Sequence, residues 1–404
     1  CYCHFTSLNT KVKILGISKF AIIILALANA SSVIGITLIT PSLTMIKSDF
    51  NASAEVTQLI LTSYIIFVSI GQLLFGTLSD RIGRRPVFIT GAFLYSIGGI
   101  LAMSTPYIEL LIIMRIIQGL GAAACLSMAR VIVNDSFEKN EAAEKLSLIT
   151  AVMVIFPNIA LILGGVIAET IGWQGSMGTL SGFGLFVFLG ALFFIPETKS
   201  FKSNSLTIKE ILNSYFIVMK NSKFINYTTL GAIQSGIFFS TFSFMPYEFD
   251  RLGVSPTQFS IWLAFTGIGY FTGNIINRNY ASRFGIPKMC FWGCLGSAFS
   301  FVLMISFHYL GLQHPIFISF PLFLFGLFNG ITVANSIIGG VSATGEFSGT
   351  ATGITGALQM AAAAIFGTVI IIAGGDESFS LSITIIIVLS LLAIYSSFLT
   401  LKAK

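Results

Sequence analysis

The sequence predicts an all-α integral membrane protein, with twelve transmembrane helices in two six-helix pseudo-repeats and both termini cytoplasmic. Three observations carry that prediction: composition, the length of the apolar runs and the placement of the basic residues. Of the 404 residues 55% are hydrophobic and only 9% charged, with a mean hydropathy of +0.90. A soluble domain carries about 25% charged residues, so this much apolar surface needs lipid as its solvent. The 39 glycines fit the same environment, where they let helices approach closely.

A spanning helix needs about 20 mostly apolar residues at about 1.5 Å each. Along the chain, runs of that length are bounded by polar or turn-forming residues. In the first half they fall at 18–46, 54–78, 86–104, 108–133, 146–170 and 175–195. In the second half they fall at 224–249, 255–280, 288–308, 315–338, 349–374 and 377–400, the last two divided only by "GGDES". The predicted organisation is an N-terminal segment 1–17, a helical bundle 18–195, a basic central loop 196–223, a second bundle 224–400 and a tail 401–404.

With the N-terminus cytoplasmic, nineteen of the 22 Lys and Arg fall inside, Lys47 and Arg251 fall outside, and Arg115 lies within a span. That asymmetry is the positive-inside pattern. It assigns the net charge of +6 to topology and to anionic lipid, and removes a nucleic-acid reading. Five scattered cysteines make neither a disulfide framework nor a zinc spacing, and "CYCH" at 1–4 lacks the spacing for haem attachment, so no metal or cofactor is expected. GxxxxGK[ST], HExxH and GxSxG are absent from the sequence, and the glycines of "GLGAAA" and "GFGLF" lie in spans as packing residues, so no enzyme is predicted.

The densest charge follows the second span, in "GQLLFGTLSDRIGRRP", residues 71–86. Ser79-Asp80-Arg81-Ile82-Gly83 finds a weaker copy in Ala281-Ser282-Arg283-Phe284-Gly285, 202 residues on and again after the second span of its half. Parallel repeats of this kind build one class of secondary transporters, with the substrate site between the halves near mid-membrane.

At these residues a family likeness emerges. "GQLLFGTLSDRIGRRPV" resembles the loop 2–3 signature of the major facilitator superfamily, and Gln72 with Ser79-Asp80 is typical of its Bcr/CflA branch of drug efflux pumps. "LLIIMRIIQGLGAAA" is similar to that branch's fourth helix, "ARVIVNDSFEKNEAAEKLS" to its loop 4–5, "FSFMPYEFDRLGVSPTQFS" to its seventh helix and following loop, and "SGTATGITGALQ" to its eleventh helix. The resemblance implies the major facilitator fold and export of small drug-like molecules across the bacterial inner membrane in exchange for protons. Two positions depart from it. The acidic slot four residues before Pro41 holds Thr37, and the second proline slot of the fifth helix, after Pro157 and ahead of Gly164-Gly165, holds Leu161.

The candidate residues follow. Arg115, an intramembrane charge that must face a cavity or a partner, is expected at the cavity with Gln118 on its helix face, the alternative being an arginine satisfied by backbone carbonyls of neighbouring helices. Thr37, Tyr64, Asn158, Gln234 and Gln359 are expected on the substrate or proton pathway, and Pro157, Gly164 and Gly165 bend the fifth helix. None of the sixteen acids lies mid-span, leaving Glu55, Glu109 and Glu248 as proton candidates. Gly76, Asp80, Arg81, Gly83, Arg84, Arg85 and Asp135 are expected to form a conformational latch: Gly76 packs against the other half, Gly83 makes a tight turn, Asp80 sits at a helix N-terminus across the interface, and an arginine pairs with Asp135. Two alternatives stand beside export: a facilitator or symporter for a small metabolite, and a non-transporting membrane sensor or scaffold.

Overall fold

The computed structural model describes residues 17–199 and 208–402. The "CYCH" stretch and most of the predicted terminal segments lie outside the described residues, as does the middle of the central loop.

Pro41 breaks the first predicted span. Helix α1 (Lys19–Thr37) ends where Pro41 offers no N–H to the Thr37 carbonyl, and a 3-10 turn (Thr40–Ser42) leads into a short α2 (Leu43–Asp49). The spans then follow as α3 (Ala54–Ile82), α4 (Arg84–Met103), α5 (Ile108–Ser136), α6 (Lys139–Thr170) and α7 (Trp173–Phe194). The predicted central loop contains an unforeseen amphipathic helix, α8 (Ile208–Lys220). Its Val218 is buried, and Tyr215 Oη donates to Leu73 O at 3.3 Å. Burial raises the Tyr215 phenol pKa above its ordinary value, so it stays a neutral donor.

The second half comprises α9 (Ser222–Arg251), α10 (Pro256–Phe284), α11 (Ile286–Tyr309), α12 (Ile316–Ser342), α13 (Ser348–Ile372) and α14 (Phe379–Lys402). Eleven stretches of the described residues are long and apolar enough to cross a membrane, α1 and α2 counting as one. The twelfth, α9, is as long but more polar. Its Gln234, Ser240, Thr241 and Ser243 are buried within the bundle, where neighbouring helices replace water as hydrogen-bond partners. Twelve crossings return the chain to the end where it began, here termed the basic end.

Packing repeats at an offset of six spans. In the first half α3 and α4 pack on α5, α7 on α4 and α6 on α1; in the second α10 and α11 pack on α12, α14 on α11 and α13 on α9. Between the halves, α3 lies against α13 and α6 against α10, a pair of contacts that the same offset interchanges. The local turn repeats too. Gly83 at φ 107° and Gly285 at φ 83° each separate two helices with a backbone conformation that favours glycine.

Candidate functional site

A cavity of about 220 Å³ lies midway along the bundle, between the halves, with walls from α1, α5 and α6 on one side and α9, α10, α12 and α13 on the other. Phe238 centres an aromatic cluster, with ring centroids 5.3 Å from Phe239, 5.7 Å from Phe242 and 5.7 Å from Tyr270. These rings give the wall its apolar character, and Thr37, Asn158, Gln359 and Asn329 interrupt it. Toward the basic end the wall continues through Arg130, Thr150 and Ile337, and Thr150 is exposed.

At the opposite end the halves are joined. Lys47 Nζ meets Asp376 Oδ2 at 3.2 Å. Gln58 Nε2 donates to Ser243 Oγ at 3.0 Å, the Thr62 and Thr368 hydroxyls lie 2.7 Å apart, and Glu169 Oε2 accepts from Ser255 Oγ at 3.1 Å and Thr257 N at 3.3 Å. Glycine permits the approach: a Cβ on Gly165 would lie 2.5 Å from Pro256 O, and one on Gly267 would overlap the Asn158 amide. Nearer the basic end Ser69 Oγ donates to Ala357 O at 2.8 Å.

The expected pathway residues divide into two groups. Thr37, Asn158 and Gln359 line the cavity, as does Pro157, whose missing N–H leaves the Met153 carbonyl without its helical partner. Gly164 and Gly165 stand closer to the joined end, Gly164 packed on the Leu38 carbonyl. Arg115, Gln118 and Tyr64 are not in the wall, contrary to expectation. Arg115 is fully buried in the first half, donating from Nη2 to Gly35 O at 2.7 Å, from Nε to Ile60 O at 3.1 Å and from Nη1 to Gln118 Oε1 at 2.5 Å. Its guanidinium carbon lies 4.1 Å from the Tyr64 ring centroid. A buried arginine needs acceptors, and backbone carbonyls near the end of α1 have lost helical donors, so the two meet away from the cavity. Gln234 is likewise internal to the second half: its backbone O and its Oε1 accept from Asn329 Nδ2 at 2.9 and 3.0 Å.

Sequence reasoning missed Arg130, which it counted among the cytoplasmic basic residues. Arg130 stands six residues before the end of α5, about 9 Å along the axis. Distance from the helix end was the available signal.

At the basic end the expected charge cluster forms within the first half. Arg84 Nη1 pairs with Asp80 Oδ1 at 2.6 Å and also donates to Ser79 Oγ at 2.6 Å, while Arg84 Nε pairs with Asp135 Oδ2 at 3.0 Å. Asp80 therefore meets an arginine four residues on, not a helix N-terminus across the interface. Gly76 also departs from expectation, because a Cβ there would meet nothing within 4 Å. The close contact with the other half comes one turn earlier, where Gln72 Oε1 would lie 2.6 Å from a Cβ on Gly356.

Glu197, read from the sequence as a loop acid, organises the cluster. Its carboxylate accepts from Arg84 N at 2.9 Å, Arg85 N at 3.2 Å and Lys199 N at 2.9 Å. The N-cap of helix α4 is Gly83, which has no side chain to hold the first amides, and the first turn of the helix contains no acid. An anion supplied from elsewhere in the chain satisfies those donors and the helix dipole. A Cβ on Gly83 would lie 2.5 Å from Glu197 Oε2 and displace that carboxylate, while the positive φ is what requires glycine there. Arg85 Nη2 donates to Leu192 O at 2.7 Å and Lys199 Nζ to Arg81 O at 2.8 Å, tying the segment after α7 to the α3–α4 turn.

The family description Major Facilitator Superfamily matches residues 25–368. A chloramphenicol resistance protein of Pseudomonas aeruginosa is 28% identical over 344 residues, 84% of this chain and 80% of that protein. A bicyclomycin resistance protein homolog of Haemophilus influenzae is 23% identical over 367 residues, 89% of this chain and 92% of that protein. The crystal structure of a D-xylose-proton symporter matches the fold with a TM-score of 0.76 at 16% identity, covering 95% of this chain and 97% of that one. A helical bundle repeated at six spans, with a cavity between its halves, agrees with these likenesses, and the chain belongs to the Major Facilitator Superfamily as a multi-pass membrane transporter rather than an enzyme.

Proposed function

We propose that this transporter exports small, largely apolar, drug-like molecules across the bacterial inner membrane by alternating access. The observation that carries the reading is the cavity: its wall is shared between the halves, aromatic in character, closed at one end by contacts between them and continued toward the basic end. With the basic end on the cytoplasmic side, the cavity faces the cytoplasm and stands ready to load a molecule for export. The relatives named for resistance to chloramphenicol and bicyclomycin support the same direction. Expression in a pump-deficient host is the test. Raised resistance and lowered dye accumulation are expected, and unchanged accumulation across a broad drug panel refutes export.

Proton exchange belongs to this reading through the family resemblance. Among the described residues lining the cavity there is no Asp, Glu or His, and Thr37 occupies the acid slot. That observation favours a second reading, a facilitator or symporter for a small metabolite. Substrate-induced proton release from the purified protein separates the two: release supports antiport, and its absence with intact binding supports facilitation.

The basic-end cluster acts in this scheme as a latch. Asp80 is held by Arg84 while the cavity faces the basic end, and exchanges partner when the halves close there. Asp80→Asn is expected to slow turnover while leaving substrate affinity within about twofold; equal loss of affinity refutes the latch.

A further inference from the structure

Arg130 is the one charged side chain among the described residues of the cavity wall. Its own partners are neutral: Nε donates to Asn29 Oδ1 at 3.1 Å and Nη2 to Met153 Sδ at 3.7 Å. Asn29 is held for that role, because its Nδ2 donates to Ile149 O at 3.1 Å and so turns the amide oxygen toward the guanidinium. The ion pairs among the described residues occupy other cations, namely Lys47, Arg84, Lys145 and Arg251. The contrast with Arg115 is instructive. That guanidinium has three oxygen acceptors and a ring, whereas Arg130 has one oxygen acceptor and one weak sulfur acceptor for its five N–H groups.

Two other polar atoms of the wall are buried without a hydrogen-bond partner, Gln359 Nε2 and Thr266 Oγ1. The first is a donor and the second can be one. Both belong to the second half, so its spare hydrogen-bonding capacity stands opposite Arg130 of the first half, a positive charge with no acid in the wall to neutralise it. A cation entering such a cavity meets repulsion in a medium that screens poorly. An anion meets an arginine whose planar fork matches a carboxylate.

We infer that the cavity selects small aromatic molecules that carry a carboxylate, with Arg130 as the residue that receives the anion, and that it rejects cations of the same shape. The inference rests on the reading of this cavity as the transport site and specifies the substrate class within it. The Phe238 cluster takes the apolar body, and Gln359 of the opposite half donates to the same ligand, so binding engages both halves. A charge-assisted hydrogen bond of this kind corresponds to about a tenfold to hundredfold gain in affinity over a neutral analogue.

The test uses the full chain in lipid nanodiscs and three probes on one skeleton: 4-butylbenzoate, 4-butylbenzamide and 4-butylphenyltrimethylammonium. Calorimetry at neutral pH is expected to rank the benzoate at least tenfold tighter than the amide, with the trimethylammonium weakest. Arg130→Gln should remove the benzoate's advantage and leave the amide within about twofold, and Arg130→Lys should keep part of it. The wild-type ranking needs no variant to fold. A trimethylammonium probe that binds as tightly as the benzoate overturns the charge selection alone, since binding at the cavity then still supports a transport site. An Arg130→Gln protein that weakens all three probes equally also overturns it, by showing a structural role. If none of the three binds while cells expressing the protein still lower dye accumulation, this inference falls and the export reading stands; if accumulation is unchanged across the drug panel as well, both fall.

Discussion

Arg115→Ala tests whether a buried charge in this protein serves the ligand or the fold. The guanidinium joins three helices, reaching Gly35 O on α1 and Ile60 O on α3 from its place on α5, and it lies over the Tyr64 ring. Each charge-assisted hydrogen bond contributes about 1.5–3 kcal/mol net, and the ring up to ~2 kcal/mol when desolvated. Against this stands a desolvation cost of several kcal/mol that the alanine variant no longer bears. The Gly35 carbonyl, in the last turn of α1, is left without the donor that Arg115 supplies. The balance is a loss of about 3 kcal/mol, or roughly 5 °C in thermal midpoint. Because unfolding of such proteins is commonly irreversible, wild type and variant are compared in one detergent at one scan rate. The affinity of the folded fraction, measured in the cold, should stay near wild type, since Arg115 is absent from the cavity wall. Arg115→Lys should fall between, because one ammonium cannot span carbonyls on two helices as the fork does. A variant with wild-type stability and abolished binding would refute the reasoning and return Arg115 to the substrate path.

Three further outcomes are expected. Gly83→Ala forces a Cβ into positive φ and against Glu197, and should lower stability by about 2 kcal/mol in the same melting assay. Glu197→Gln removes the anion from the α4 N-terminus, and should cost about 1 kcal/mol that adding salt partly masks in the wild-type comparison; an unchanged midpoint at low salt refutes its capping role. Gly165→Val brings a side chain against Pro256 O and Ser260, and should open the joined end. A cysteine at Thr257, in a background without the native cysteines, should then react faster with an impermeant maleimide, and equal rates would show that the α6–α10 contact does not hold that end shut.

The spans were legible because hydrocarbon thickness sets their length, and the Gly83 turn was legible because a glycine between two helical runs beside charge has few other uses. The repeat in the loops, five residues long in sequence, proved to extend to the main helix packings of each half, which no residue pattern could express. The Pro41 break followed from a missing N–H and was available to sequence reasoning, yet the apolar run continues through it and hid it. The charged residues were harder, because sequence gives their depth but not their facing. Arg115 and Arg130 lie on one helix fifteen residues apart, and helical geometry alone leaves open which turns to a neighbour's carbonyls and which to a cavity. Glu197 was illegible for a different reason: its partners at the start of α4 lie more than a hundred residues away, and only the packing of α7 beside α4 brings a carboxylate to those amides.

The closed end bears on how such a molecule can switch. Its polar contacts are an ion pair, Lys47–Asp376, whose lysine is exposed and whose aspartate is largely buried, and hydrogen bonds between neutral groups or to an exposed carboxylate. A pair with its lysine in solvent contributes on the order of 1 kcal/mol and neutral hydrogen bonds about 0.5–1.5 kcal/mol each. Their combined strength is on the order of a few kcal/mol, comparable with what a ligand of micromolar affinity supplies when it prefers one state. The strongest polar contacts are placed otherwise. The Arg115 network and the Glu197 cap tie helices within the first half, where they resist deformation of that half and do not oppose its rotation against the other. Rigid halves joined by weak, glycine-spaced contacts are what the proposed rocking about a central cavity requires, and under that proposal the surface that moves lies at the α6–α10 and α3–α13 seams.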